Sequence, residues 1–349
     1  AANSVSVQSN QCGMTANCVM LSANPTTPLP LNLSSESQTG IKIPSGQIAG
    51  GQFSIAAGQT KDLNIDFDAC ASIVSQGNGQ YRLKPVLHAG EIALTSTSIN
   101  GRVIDNVTGQ AINGGATVIA LEQKDSGGVD RVVMETVTDS NGSFVFCPVP
   151  AGSYDVVAAA VNGAGTAYGA TIITDVQPGS ALGTVPLVAE TGANTSPASI
   201  TGQVTSSTGS APTSVDIVLS ALQPAQINGS QVMVTIPLAS QSMATAIVTT
   251  ASVGSCPTNT ECVTYTLAVP AQNPGVGVFS TSGSQQPAPP APAPVDYAID
   301  AQAVVPGGGG IPDCSPADVQ TSSTSCGTPL SVTAGGTTTA STLTFTGCQ

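Results

Sequence analysis

Short runs of alternating hydrophobic and polar residues fill most of this chain, and they break at Gly, Pro, Asn or Asp. The middle third shows the pattern most clearly. Ser98-Ile-Asn-Gly-Arg-Val-Ile-Asp105 alternates and stops at Asn106-Val-Thr-Gly109; Ala116-Thr-Val-Ile-Ala-Leu-Glu122, Arg131-Val-Val-Met-Glu-Thr-Val-Thr138 and Ser143-Phe-Val-Phe-Cys147 follow. Ser153-Tyr-Asp-Val-Val-Ala-Ala159, Tyr168-Gly-Ala-Thr-Ile-Ile173 and Leu182-Gly-Thr-Val-Pro-Leu187 complete the series. Period-two runs of this length, rich in β-branched residues and separated by turn signals, predict strands of an all-β sandwich. Along such a strand Phe144 and Phe146 turn to one face, and Val145 and Cys147 to the other.

The last third begins like the middle one: Ser199-Ile-Thr-Gly-Gln-Val204 echoes Ser98-Ile-Asn-Gly-Arg-Val103, so the domain is expected to repeat. A closing motif recurs in Ile55-Ala-Ala-Gly-Gln-Thr60, Val176-Gln-Pro-Gly-Ser180 and Val332-Thr-Ala-Gly-Gly336. The predicted organisation is three tandem immunoglobulin-like or prealbumin-like β-sandwiches: a partial or strand-complemented one over 1–95, a complete one over 96–190, and an enlarged one over 191–349. The third carries a Pro/Ala- and Gly-rich insertion at 281–313, with a polyproline-type run Gln285-Gln-Pro-Ala-Pro-Pro-Ala-Pro-Ala-Pro294 and the flexible Pro306-Gly-Gly-Gly-Gly310.

The residues of the middle third carry a resemblance. Ile99-Asn-Gly-Arg-Val103, Gly115-Ala-Thr-Val118, Thr138-Asp-Ser-Asn-Gly-Ser-Phe-Val-Phe146 and Val149-Pro-Ala-Gly-Ser-Tyr154 resemble the carboxypeptidase regulatory-like family. The resemblance implies a prealbumin-like sandwich, used as a repeated spacer in bacterial surface proteins. Some relatives close an internal Lys–Asn isopeptide bond, but the first strand here offers Arg102, and none is expected. Over 30–90, Ser37-Gln-Thr-Gly-Ile-Lys-Ile43, Leu63-Asn-Ile-Asp-Phe-Asp-Ala-Cys70 and Gly79-Gln-Tyr-Arg-Leu-Lys-Pro-Val86 are similar to the C-terminal half of a bacterial secreted or lipoprotein domain of unknown function. A half-sandwich leaves an open apolar edge, so either the start is a divergent complete domain or its missing strands come from elsewhere.

Composition narrows the function. Of 349 residues only 8% are charged and 3% aromatic, Trp is absent, and 7 Lys and Arg face 20 Asp and Glu. A net charge of −13 argues against nucleic acid and anionic membranes as partners. No apolar run reaches the ~18 residues of a membrane-spanning helix. The chain starts Ala-Ala-Asn, as a processed secreted product would.

Nine cysteines point to an oxidising compartment. Three close polar pairs are disulfide candidates: Cys12 with Cys18, Cys256 with Cys262, and Cys314 with Cys326. That leaves Cys70, Cys147 and Cys348, of which Cys70 and Cys348 follow the repeated Phe67-x-x-Cys70 and Phe345-x-x-Cys348 strand ends. All three are candidates for bonds between domains or subunits.

Candidate chemistry is sparse. The single histidine, His88, leaves Ser/His/Asp and Cys/His catalysis without a second partner set. Asp139-Ser-Asn-Gly142 opens like a calcium loop but lacks the rest of the ligand series and reads as a hairpin turn. Asp66 and Asp68 are placed to meet Lys84 or Arg82 across a hairpin. No catalytic residue, cofactor or metal is expected.

The expected function is therefore structural: a secreted bacterial cell-surface subunit, non-enzymatic, whose principal partner is itself. Copies would join head to tail into a fibre by strand complementation. The donor candidates are Ser4, Val5, Ser6 and Val7 at the start and Leu343 and Phe345 in the tail, with disulfides as reinforcement. The rival reading is an adhesin stalk or carbohydrate-binding accessory module with surface glycans as partners.

Overall fold

The computed structural model describes residues 17–21, 24–32, 63–68, 72–75, 81–83, 86–91, 97–252, 256–290, 295–303, 314–321 and 329–348. Among the described residues the chain is built from strands, with one 3₁₀ turn at Ala239–Gln241. This is the all-β, tandem-sandwich architecture that the alternation predicts.

The first part contributes β1 (Cys18–Leu21), β2 (Asn24–Asn32), β3 (Leu63–Asp68), β4 (Ile73–Ser75), β5 (Tyr81–Leu83) and β6 (Val86–Glu91). They form a four-stranded sheet in the order β1-β2-β5-β4 and a separate β3–β6 pair. The backbone register places the two acidic residues of β3. Asp66 lies opposite His88 and Asp68 opposite Val86, while Arg82 lies opposite Val74 in the other sheet. Lys84 and the side chains of Asp66, Asp68 and Arg82 lie outside the described residues.

The middle part holds seven strands: β7 (Thr97–Asp105), β8 (Ala116–Lys124), β9 (Val129–Val137), β10 (Ser143–Val149), β11 (Tyr154–Val161), β12 (Ala167–Val176) and β13 (Ala181–Leu187). Strands β10-β7-β13 make one sheet and β12-β11-β8-β9 belong to the other. Between them Ile99, Phe144, Phe146, Ile119, Leu121 and Leu182 are buried in one core. Phe144 and Phe146 meet edge to face with ring centroids 5.9 Å apart, while Val145 and Cys147 face out.

The last part repeats this wiring. It comprises β14 (Ala198–Ser206), β15 (Asp216–Ile227), β16 (Ser230–Thr235), β17 (Ala246–Thr249), β18 (Glu261–Val269), β19 (Gly275–Val278), β20 (Asp296–Ala303), β21 (Asp318–Gln320), β22 (Leu330–Ser331), β23 (Thr337–Thr339) and β24 (Leu343–Phe345). As β7 lies between antiparallel β10 and parallel β13, so β14 lies between antiparallel β18 and parallel β23 and β24. Strands β11 and β20 also match. Each starts beside a Tyr whose hydroxyl donates to a proline carbonyl, Tyr154 to Pro150 at 3.0 Å and Tyr297 to Pro270 at 2.8 Å. In the last part residues 271–295 are inserted between that proline and that strand.

The two units share a sheet. Strand β16 pairs in parallel with β9, which joins them into one eleven-stranded sheet. The strands of the middle unit therefore bury both faces. Ile119 and Leu121 of β8 enter the middle core, whereas Val118 and Ala120, with Val157 and Ala159 of β11, enter the core of the last unit. A strand buried on both faces reads as a continuous apolar run, which is why β8 and β11 carry Thr-Val-Ile-Ala-Leu and Val-Val-Ala-Ala-Ala.

Candidate functional site

No His, Cys, Asp or Glu group of three or more suited to a metal occurs among the described residues. Asp139 uses its carboxylate to close a hairpin turn, accepting the amides of Asn141 at 2.8 Å and Ser143 at 2.9 Å. Gly142 adopts φ +81° there, and a Cβ at this position would run into the carbonyl of Val103. The side chain of His88 lies outside the described residues.

The polar chemistry of the molecule is concentrated where the middle and last units meet. Arg131 on β9 is the hub. Its guanidinium binds Asp125 at 2.5 Å, the fully buried Asp300 on β20 at 2.6 Å and Asp318 on β21 at 2.7 Å. Gln320 donates to the other side of Asp300 at 2.6 Å. Burial, together with the charge of Asp300, pushes Asp318 up to about 6. Glu135 and Glu122 of the middle unit accept main-chain amides of the last one, from Ala244 at 2.9 Å and Thr235 at 3.1 Å. Glu190, in the segment between units, accepts the amide of Ala271 at 2.5 Å and is pushed up to about 7 by burial.

Glu122, Asp130 and Asp155 form a carboxyl group at the same seam. Glu122 and Asp155 face each other across β8 and β11. Glu122 Oε1 and Asp130 Oδ2 are buried without a hydrogen-bond partner. Burial, with the neighbouring charge of Asp130, raises Glu122 well above the ordinary range and Asp155 to about 7. Burial and mutual repulsion thus favour a proton shared between Asp130 and Asp155, the cheapest way to hold two carboxyls side by side.

The insertion forms a strap from the last unit onto the middle one. Strand β19 pairs in parallel with β12, Thr171 opposite Gly275 through Thr174 opposite Val278. Beyond it Gln285 is completely buried. Its amide donates to Leu182 at 2.7 Å and Ser280 at 2.8 Å, and its carbonyl accepts from Ser280 N at 2.9 Å. Thr184 and Gly283 exchange a main-chain bond at 3.1 Å beside β13. Gly183, at φ +64°, is required here because a Cβ would collide with Gly283. The segment 281–290, expected as part of a loose insertion, is docked; the Gly-rich run at 306–310 lies outside the described residues.

The cysteines resolve differently from their spacing. Cys256 and Cys262 are bonded, and Cys18 is in a disulfide whose partner falls outside the described residues. Cys12, Cys70 and Cys326 are also outside them. Cys314 bonds to Cys348, not to Cys326. The alternation that turned Cys348 outward stops at Phe345, because Gly347 at φ +62° reverses the chain and sends Cys348 into the core. Cys348 is therefore an intrachain residue and not a candidate for a bond between subunits. Cys147 on β10 is free and exposed.

The tail donor strand is also corrected. Leu343 and Phe345 are buried at 1% and 0% exposure in the chain's own last core, where β24 completes the sheet of β14. Ser4, Val5, Ser6 and Val7 lie outside the described residues.

No curated protein matches the chain. Several solved structures resemble the chain loosely. A DUF3823 family protein from Bacteroides uniformis has 12% identity and a TM-score of 0.20, with 62% of this chain and 94% of that one covered. The minor pilin of Streptococcus agalactiae has 12% identity and a TM-score of 0.19 over 72% and 96%. A shaft pilin from Lactobacillus rhamnosus has 12% identity and a TM-score of 0.20 over 73% and 99%. Superpositions this loose carry no functional weight. The family comparisons are more specific: residues 98–184, which run from within β7 into β13, match the carboxypeptidase regulatory-like domain, and residues 5–85 match a domain of unknown function, DUF4382.

Proposed function

We propose that the protein is a non-enzymatic structural component of a bacterial cell surface, a stiff double-domain strut that joins to further copies of itself. The observation that carries this reading is the fusion of two repeated sandwiches through one continuous sheet and a shared core. Domains joined by a flexible linker are free to move independently. Here an inter-unit strand pair, the Arg131 hub and the Gln285 strap fix them at three separate places. Such a device sets a distance between the two units. The disulfides suit an oxidising extracellular compartment.

Two features support joining of copies. Strand β10 ends its sheet and carries free Cys147 beside Val145, which is 56% exposed. The alternating segment Ser4–Val7 remains the candidate donor for a neighbouring copy, since the tail strand is committed to its own fold. Electron microscopy of the purified full chain, with and without reductant, tests the reading. Filaments or linear oligomers are expected, with the reductant-sensitive fraction lost in Cys147→Ser. Strictly monomeric particles under both conditions overturn it.

A further inference from the structure

We propose that both sandwich units are shear clamps that resist tension along the chain, and that the Cys314–Cys348 bond keeps the last strands out of the extended path. The inference rests on the surface-strut reading and gives it a mechanical content.

Tension drawn through the chain enters the last unit at Ala198 and leaves at Cys348. The strands at these two points are neighbours, and they run parallel. Ser199 lies opposite Thr337 at the entry end, and Ser206 opposite Phe345 at the exit end. Entry and exit are thus at opposite ends of one strand pair. Pulling slides β14 along β23 and β24 and loads their bonds together. An antiparallel hairpin pulled at its open end loses its bonds one after another.

The bonds loaded in this way are Ser199 N to Gly336 O (2.8 Å), Ala340 N to Thr201 O (2.7 Å), Ser207 N to Phe345 O (3.1 Å) and Cys348 N to Ser207 O (3.0 Å). Thr205 adds a side-chain bond to Thr344. Leu343 and Phe345 anchor the pair in the core.

The middle unit is wired the same way. First strand β7 runs parallel to last strand β13, with Asn100 N to Ser180 O and Asn106 N to Leu187 O marking its two ends. The strap holds the other side of β13 through Thr184 and Gln285, so this strand is gripped from both edges.

The disulfide adds a bypass. Cys314 and Cys348 are 34 residues apart, and the bond closes a loop that contains β21 to β24. While the clamp holds, β24 shares the load that arrives at Cys348; once it has yielded, the load crosses directly to Cys314. When β14 finally slides out, the residues inside the loop add no length. At ~3.6 Å per residue the hidden length is about 12 nm.

Single-molecule stretching of the full chain tests both parts. One set of molecules is held at its two ends; a second is held at the N-terminal end and at Thr333. Thr333 is exposed and lies in the turn beside Ser196, at the entry end of β14. The second geometry peels β23 from β14. The last unit is expected to give way at several-fold lower force when peeled. Equal forces in the two directions overturn the clamp.

For the bypass, the oxidised chain is expected to extend about 12 nm less than a Cys314→Ser/Cys348→Ser chain, or than the unaltered chain opened and reduced while under load. Equal extensions overturn it. Direction-dependent forces in a protein that never assembles would retain the clamp and remove the strut reading. Filaments built from units that yield equally in both directions would do the reverse.

Discussion

Arg131→Met is the most informative single change, because one side chain of the middle unit neutralises an aspartate at the heart of the last. Asp300 is fully buried and 2.6 Å from the guanidinium. Met keeps most of the aliphatic volume and removes the charge, leaving Asp300 with Gln320 as its remaining side-chain donor. Removing one partner of a buried pair costs about 3–5 kcal/mol. The bond to Asp318, whose side chain is 40% exposed, adds no more than about 1 kcal/mol. The expected loss is therefore about 4 kcal/mol, nearly all of it through Asp300. Urea denaturation followed by circular dichroism at pH 7 measures it. Asp318→Asn should cost less than about 1 kcal/mol, and adding Asp300→Asn to Arg131→Met should recover most of the loss. Arg131 also sits on the seam, so the variant should unfold in two resolved steps as the units uncouple. A loss below about 1 kcal/mol in Arg131→Met, with one cooperative transition, would refute the account of the seam.

The remaining predictions concern the carboxyls, the disulfide and the strap. Glu190 and Asp155 are held near 7, above their unfolded values, so the folded chain binds protons more tightly; stability is full at about pH 4 and falls as pH rises through 7. A tenfold difference in proton affinity between the folded and unfolded chain is worth ~1.4 kcal/mol, and partial solvent access reduces the effect to about 2 kcal/mol for the two groups together. Denaturation midpoints from pH 4.5 to 8 should decline accordingly, and Glu190→Gln with Asp155→Asn should flatten the decline. Opening the Cys314–Cys348 loop in a Cys314→Ala/Cys348→Ala chain should cost roughly 4 kcal/mol by loop entropy, read as a lower melting temperature that reductant lowers no further at this bond. Gln285→Ala leaves Leu182 O and both polar partners at Ser280 without their bonds, and should raise hydrogen exchange in the strap and β13 by more than tenfold while β14 and β18 stay protected.

Strand positions were readable because the alternation is local. The seven runs of the middle unit became β7 to β13, and the Ser-Ile-x-Gly-x-Val echo marked β14 as the counterpart of β7. Pairings between distant residues were not readable. Cys314 and Cys326 lie close in sequence, as Cys256 and Cys262 do, yet Cys256 is bonded to its near neighbour and Cys314 to the distant Cys348. What decides is Gly347, whose positive φ turns Cys348 inward, and a single glycine near a chain end does not announce that turn. Leu343 and Phe345 looked like a free tail because parallel pairing with β14 spans more than a hundred residues of sequence. The seam left a trace that alternation alone overlooks. Glu122 and Asp155 interrupt β8 and β11 just where those strands are otherwise apolar on both sides, and a strand too apolar for one solvated face signals a second covering layer.

The same double burial accounts for the light residues. A strand that separates two cores must fit between side chains arriving from both directions, and Ala158, Ala159 and Ala160 on β11, with exposures of 1%, 0% and 0%, leave room for them. Val156 and Val157 are fully buried on opposite sides of that strand. Two cores of small residues bury little apolar area per position, at about 25 cal/mol per Å², so neither unit gains much from size alone. Cross-links raise the stability instead. Cys314–Cys348 constrains the unfolded chain, Arg131 ties Asp125, Asp300 and Asp318 together, and the strap closes an edge of each sheet it touches. Ala, Gly, Ser and Thr in abundance are thus what allows the repeats to share strands. That sharing is also what makes the pair stiff, because bending the joint between the units means breaking a sheet.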